Sequence, residues 1–125
     1  ALLEDEQEMR PLHGDLHHDN VLDFGARGWL AIDPKRLLGD RAFDYTTMFS
    51  NPDLCGPGIH VATRPERFHA RLEQVCRLAD IERTRLLRWI AASAGLSAVW
   101  FRDDGDPADI DETVAGMALQ ALAEA

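Results

Sequence analysis

Residues 12–24 read LHGDLHHDNVLDF. His13, His17 and His18 alternate with Asp15, Asp19 and Asn20 just ahead of the apolar pair Val21-Leu22. Such a stretch can be a metal cage, a catalytic loop or a polar turn. The residues after it narrow the choice. Val21 to Phe24 and Trp29 to Ile32 are short β-prone runs joined by Gly25-Ala26-Arg27-Gly28, which predicts a hairpin whose glycines supply the turn dihedrals. Asp33-Pro34 ends the second run. A hairpin folds the chain back on itself, so Asp33 is expected beside the polar stretch.

The metal cage fares badly. A zincin helix needs His-Glu-x-x-His, whereas Gly14 follows His13 and no general-base glutamate lies between His13 and His17. His60 and His69 stand apart from the cluster. Cys55 and Cys76 lack the C-x-x-C spacing of a zinc or redox site, and fit free thiols in a reducing cytoplasm.

Phosphoryl transfer asks for a carboxylate to take a hydroxyl proton, and for oxygen ligands that hold magnesium against ATP phosphates. His13-x-Asp15-x-x-x-x-Asn20 has the spacing of the kinase catalytic loop His-Arg-Asp-x-x-x-x-Asn, with Gly14 in place of arginine. Asp15 is the expected base and Asn20 a magnesium ligand. The second metal carboxylate should follow the hairpin. Asp23-Phe24-Gly25 imitates the kinase Asp-Phe-Gly but comes before any hairpin is complete, so Asp33, in Ile32-Asp33-Pro34-Lys35, is the expected ligand.

Three stretches, LHGDLHHDN, GWLAIDPK and GDRAFDY, resemble the C-terminal lobe of the aminoglycoside phosphotransferases, and more narrowly the streptomycin 6-phosphotransferase or hydroxyurea-resistance kinase branch. The resemblance implies an ATP-dependent kinase that uses Mg2+ and phosphorylates an alcohol hydroxyl, most simply on an aminoglycoside such as streptomycin. It makes Asp15 catalytic, Asn20 and Asp33 metal ligands, and His13 the anchor of the loop. Asp44 matches a structural acid that braces the loop backbone, with a helix N-cap as the other reading. His17 stands where kinases place a lysine on the transferred phosphate, or else faces solvent. Acceptors such as choline, homoserine or a fructosamine remain open, as does a catalytically silent binding module. Ahead of His13 the chain shows no glycine-rich loop and no lysine, Lys35 being its sole one. The expectation is therefore a single kinase-like C-lobe over 1–125, without its N-terminal ATP-binding lobe. Apolar surface left uncovered near the loop would favour self-association.

The rest of the chain is read from its periodicity. A helix is expected from Asp40–Asp44 to Asn51-Pro52, and residues 51–64 read as a surface loop. Three further helices are predicted: one after Pro65 through Phe68, Leu72 and Val75; a longer one through Leu86, Ile90 and Ala94, capped by Asp80, with Gly95 as a weak point or close-packing site; and one opened by Asp106-Pro107. The fold class is thus mainly α with a small β-hairpin, in two parts: residues 12–50 with the catalytic loop, hairpin and metal segment, and residues 65–125 as a helical subdomain.

The 125 residues are 46% apolar and 28% charged, which suits one folded domain. A net charge of -9 repels phosphate backbones and anionic lipid, arguing against nucleic acid and membrane partners. The acidic clusters read as a solvated, solubilising surface or as a lure for a cationic sugar, for which Asp103, Asp104 and Asp106 are the exposed candidates.

Overall fold

The computed structural model describes residues 9–14, 16, 20–32, 35, 37–50, 63–105 and 108–124. The described residues are mostly helical, with two small antiparallel sheets. Strand β1 (Met9–Leu12) leads into the polar stretch, and β2 (Val21–Asp23) and β3 (Trp29–Ala31) form the expected hairpin in the register Val21↔Ala31, Leu22↔Leu30, Asp23↔Trp29. Its turn holds Gly25 and Gly28 at φ of 67° and 78°, a region closed to most side chains. Asp23 is spent on that turn, its Oδ1 accepting from Gly25 N at 2.9 Å.

The second sheet has no counterpart among the sequence expectations. Strand β4 (Leu37–Asp40) returns to pair with β1, from Met9↔Asp40 to Leu12↔Leu37. The hairpin is therefore nested inside an outer pair of strands, and the two polar connections between them run from one sheet to the other.

The helix expected after Asp40 is instead two 3-10 segments, Arg41–Tyr45 and Thr47–Ser50. Asp40 starts the first, its Oδ1 accepting from Ala42 N at 2.9 Å. Thr46 separates the two, its hydroxyl bonded to Phe43 O at 2.7 Å and to Ser93 Oγ at 3.2 Å. A side chain that takes up a nearby backbone carbonyl competes with helical continuation.

Helices α1 (Pro65–Ala79), α2 (Arg83–Asp103) and α3 (Asp109–Ala123) follow. Pro65 opens α1 as expected. Asp80 does not cap α2: it ends α1 in the left-handed region at φ 53°, while Glu82 caps α2 by accepting from Thr84 N at 3.0 Å and Arg85 N at 2.8 Å. Gly95 is no close-packing site, since a Cβ there would meet nothing within 4 Å. The α3 helix begins at Asp109 after Ala108; Asp106-Pro107 and residues 51–62 of the expected loop lie outside the described residues.

One core joins the helices to the 3-10 segments. Phe49, Phe68, Leu72, Leu86, Leu87, Ile90 and Val114 are the large side chains fully buried in it. Phe49 and Phe68 meet edge to face at 5.6 Å, and Phe43 and Trp89 do so at 6.1 Å. These contacts fix the 3-10 segments, and with them Asp44, against the helical layer. Cys76 is a free thiol whose pKa is pushed up, first by burial and then by Glu73.

Candidate active site

The polar stretch leaves β1 at Leu12 and is tied down at once. Both oxygens of Asp44 accept backbone N–H groups, Oδ2 from His13 and Oδ1 from Gly14, each at 2.8 Å. Asp44 is thus not an N-cap, and its carboxylate is committed to the loop. Gly14 sits at φ 87°, and a Cβ there would come within 2.8 Å of Leu37 Cδ1 and 3.0 Å of Lys35 Cβ. Two independent constraints therefore require glycine where the kinase template has arginine.

Two backbone bonds bracket the two polar connections: Lys35 N donates to His13 O and Ile32 N to Asn20 O, each at 2.7 Å. Between them the His13 imidazole bonds the Ile32 carbonyl through Nε2. A carbonyl only accepts, so Nε2 carries the hydrogen. Asn20 is buried, 8% exposed, where β2 begins. Of the expected site residues, His13, Asn20 and Asp44 are thus gathered around the ends of the connections; Asp15, His17 and Asp33 lie outside the described residues.

Two interactions that the sequence did not advertise hold this assembly to the helices. Asp40 Oδ2 pairs with Arg85 of α2, the side chains 2% and 12% exposed. Arg41 donates in the other direction, to the carbonyls of Ala79 at 2.6 Å and Asp80 at 2.8 Å, where α1 ends. A cation on those terminal carbonyls also complements the helix dipole.

Residues 1–105 match the family described as aminoglycoside/hydroxyurea antibiotic resistance kinase. The chain belongs to that family. Among members of known name, it is 56% identical over 125 residues to a streptomycin 3''-kinase of Klebsiella pneumoniae, an alignment covering 97% of this chain and 47% of that protein. It is 32% identical over 100 residues to a streptomycin 6-kinase of Streptomyces griseus, covering 77% and 31%. Against a hydroxyurea phosphotransferase of Kitasatospora aureofaciens the identity is 30% over 106 residues, covering 85% and 28%. The chain thus spans about half the length of the first of these resistance kinases and less than a third of the other two. No solved structure matches it.

Among the described residues, two clefts border the assembly. One, of about 430 Å³, is lined by Leu16, Val21, Trp29, Met48, Arg71 and Val75, so it adjoins the middle of the polar stretch and the strand that follows it. Its walls are mainly apolar, and the guanidinium of Arg71 donates to Met48 O. Burial, and then the neighbouring Arg67, lower the Arg71 pKa. A polycation gains little against an arginine and apolar walls. The other cleft, about 310 Å³, opens over Arg41, Asp80, Glu82 and Arg85. The acidic region at the C-terminal end of α2 is less uniform than its sequence reads: Asp111 is buried on Ser97 Oγ at 2.6 Å and Glu112 pairs with Arg102, while Asp103 and Asp104 are exposed. Asp106 lies outside the described residues. No helix among the described residues is long and apolar enough to cross a membrane.

Proposed function

We propose that this chain carries the catalytic segment of an ATP-dependent streptomycin kinase, built as the C-terminal lobe of a kinase-like fold. The observation that supports this most is the double grip of Asp44 on the His13 and Gly14 amides, directly before Asp15, combined with the His13 bond to Ile32 O, directly before Asp33. Neighbours along the chain lie about 3.8 Å apart at Cα, so anchoring residues 13, 14 and 32 limits how far the two carboxylates can separate.

In this reading Asp15 orients the acceptor hydroxyl and takes its proton. The oxygen attacks the γ-phosphorus of ATP, the bond from that phosphorus to the β,γ-bridging oxygen breaks, and ADP departs. Asn20 and Asp33 offer an amide and a carboxylate oxygen, a hard donor set that suits magnesium. Bound there, the ion would neutralise charge on the phosphates; it would also offset the mutual repulsion of Asp15 and Asp33. His17 contacts the transferred phosphate. The Nε2–H of His13 and the carboxylate of Asp44 hold the backbone on either side, so positioning supplies most of the chain's contribution.

The acceptor hydroxyl is assigned to the 3'' position, because identity to the named 3''-kinase is 56% against 32% for the named 6-kinase. This departs from the 6-kinase branch expected from the motifs. The drug's cationic groups face Asp103 and Asp104 rather than the Arg71 cleft, and the use of ATP places the reaction in the cytoplasm. The test is transfer of labelled γ-phosphate to streptomycin, with the position of the ester read by NMR. Asp15→Asn should lower kcat by about 10²- to 10⁴-fold, and Asp33→Asn should abolish Mg-ATP binding in titration calorimetry. Undiminished transfer by Asp15→Asn would overturn the assignment, and esterification at position 6 would overturn the choice of hydroxyl.

A further inference from the structure

The ion pair between Asp40 and Arg85 involves no residue assigned to the chemistry, yet a chain of hydrogen bonds connects it to the loop. Arg85 holds Oδ2 of Asp40, and Oδ1 of the same carboxylate accepts from Ala42 N at 2.9 Å, which starts the 3-10 segment Arg41–Tyr45. That short segment carries Asp44, whose two oxygens hold His13 N and Gly14 N. Phe43, between them, is wedged against Trp89, one turn along α2 from Arg85. A carboxylate 2% exposed and held at both oxygens has little rotational freedom, and a 3-10 turn is too short to absorb a shift at its start without passing it to its end.

We propose that Arg85 is a positioning residue for the loop: by closing on Asp40 it sets the start of the 3-10 segment, and so sets where Asp44 places the His13 and Gly14 amides. The inference rests on the reading of residues 13–20 as the catalytic segment only for its effect on turnover. Its structural half stands alone. The helical layer then determines the geometry of the loop, through one guanidinium on α2, while Arg41 secures the same segment to the end of α1.

The test is amide hydrogen exchange by NMR on the whole chain, with no nucleotide or acceptor present. Arg85→Met should speed exchange at His13 and Gly14 by about tenfold or more relative to core amides such as Leu87 and Ala118. Arg85→Lys, which keeps the charge, should restore most of the protection. Because a lone buried carboxylate could unfold the protein, Asp40→Asn with Arg85→Gln is the companion variant; it removes both charges and should show the same local acceleration. Unchanged exchange at His13 and Gly14 in a folded variant, or equal acceleration throughout the helices, would overturn the proposal. In a turnover assay with streptomycin, Arg85→Met should lower kcat and leave KM for ATP unaltered, with Arg85→Lys recovering most of kcat; a change in KM alone would also overturn it. Local acceleration without any turnover in the parent protein would keep the relay and discard the kinase reading.

Discussion

Gly14 shows how narrowly one residue can be specified. Its φ of 87° strains any larger side chain, and a Cβ there would press on Lys35 Cβ and force Leu37 Cδ1 to move. Gly14→Ala should cost about 1 to 3 kcal/mol, seen as a lower urea midpoint at unchanged m-value; an unchanged midpoint would show that the loop can rearrange. His13 and Asn20 could be picked out by their kinase-loop spacing and Asp44 through the family resemblance, which left a helix N-cap as its other reading. Arg41 and Arg85 could not, since nothing local distinguishes a clamping arginine from the exposed ones such as Arg67 and Arg88.

At the level of elements, the hairpin and the three long helices were legible because their signals are local. Turn glycines between β-prone runs specify the first, and apolar residues at helical spacing the others. The β1–β4 sheet was not. Its strands contain Arg10-Pro11 and Gly39-Asp40, do not alternate, and pair across the whole hairpin. The 3-10 segments escaped for a different reason: Ala42, Tyr45 and Phe49 keep a helix-like spacing, and the competing hydroxyl of Thr46 declares itself only once Ser93 is beside it. The junction of α1 and α2 yields two expectations. Asp80 combines a left-handed backbone with a negative charge at a helix C-terminus, so Asp80→Gly should raise stability by about 0.5–1 kcal/mol in thermal or urea unfolding. At Glu82, burial raises the carboxyl pKa, but the backbone N–H bonds from Arg85 and Thr84 outweigh it and leave the pKa lowered. A carboxyl depressed in the folded state stabilises the protein above its unfolded pKa, and that contribution fades as pH falls through the folded value. Glu82→Gln should therefore be less stable by about 0.5–1 kcal/mol near neutrality, with the two unfolding curves converging in acid.

For the molecule as a whole, apolar side chains stay exposed on both parts: Leu22, Phe24 and Trp29 of the hairpin at 42%, 44% and 70%, and Leu96, Val99 and Trp100 of α2 at 51%, 53% and 62%. Exposed apolar groups favour association, so sedimentation velocity should show oligomers growing with concentration, and Trp29→Ser, which removes the most exposed aromatic ring, should weaken them. A monomer at every concentration would argue against that. The nested arrangement of the two sheets has a different consequence. Lys35 N on His13 O and Ile32 N on Asn20 O close the base of the excursion, whereas the 3-10 turn Gly25–Arg27 lies at its far tip. Extra residues at that tip lengthen a loop whose ends are already fixed, and each doubling of its length costs only about 0.6 kcal/mol. The tip is consequently where this chain can accept an insertion, a tag or a grafted peptide while the residues at the base keep their places.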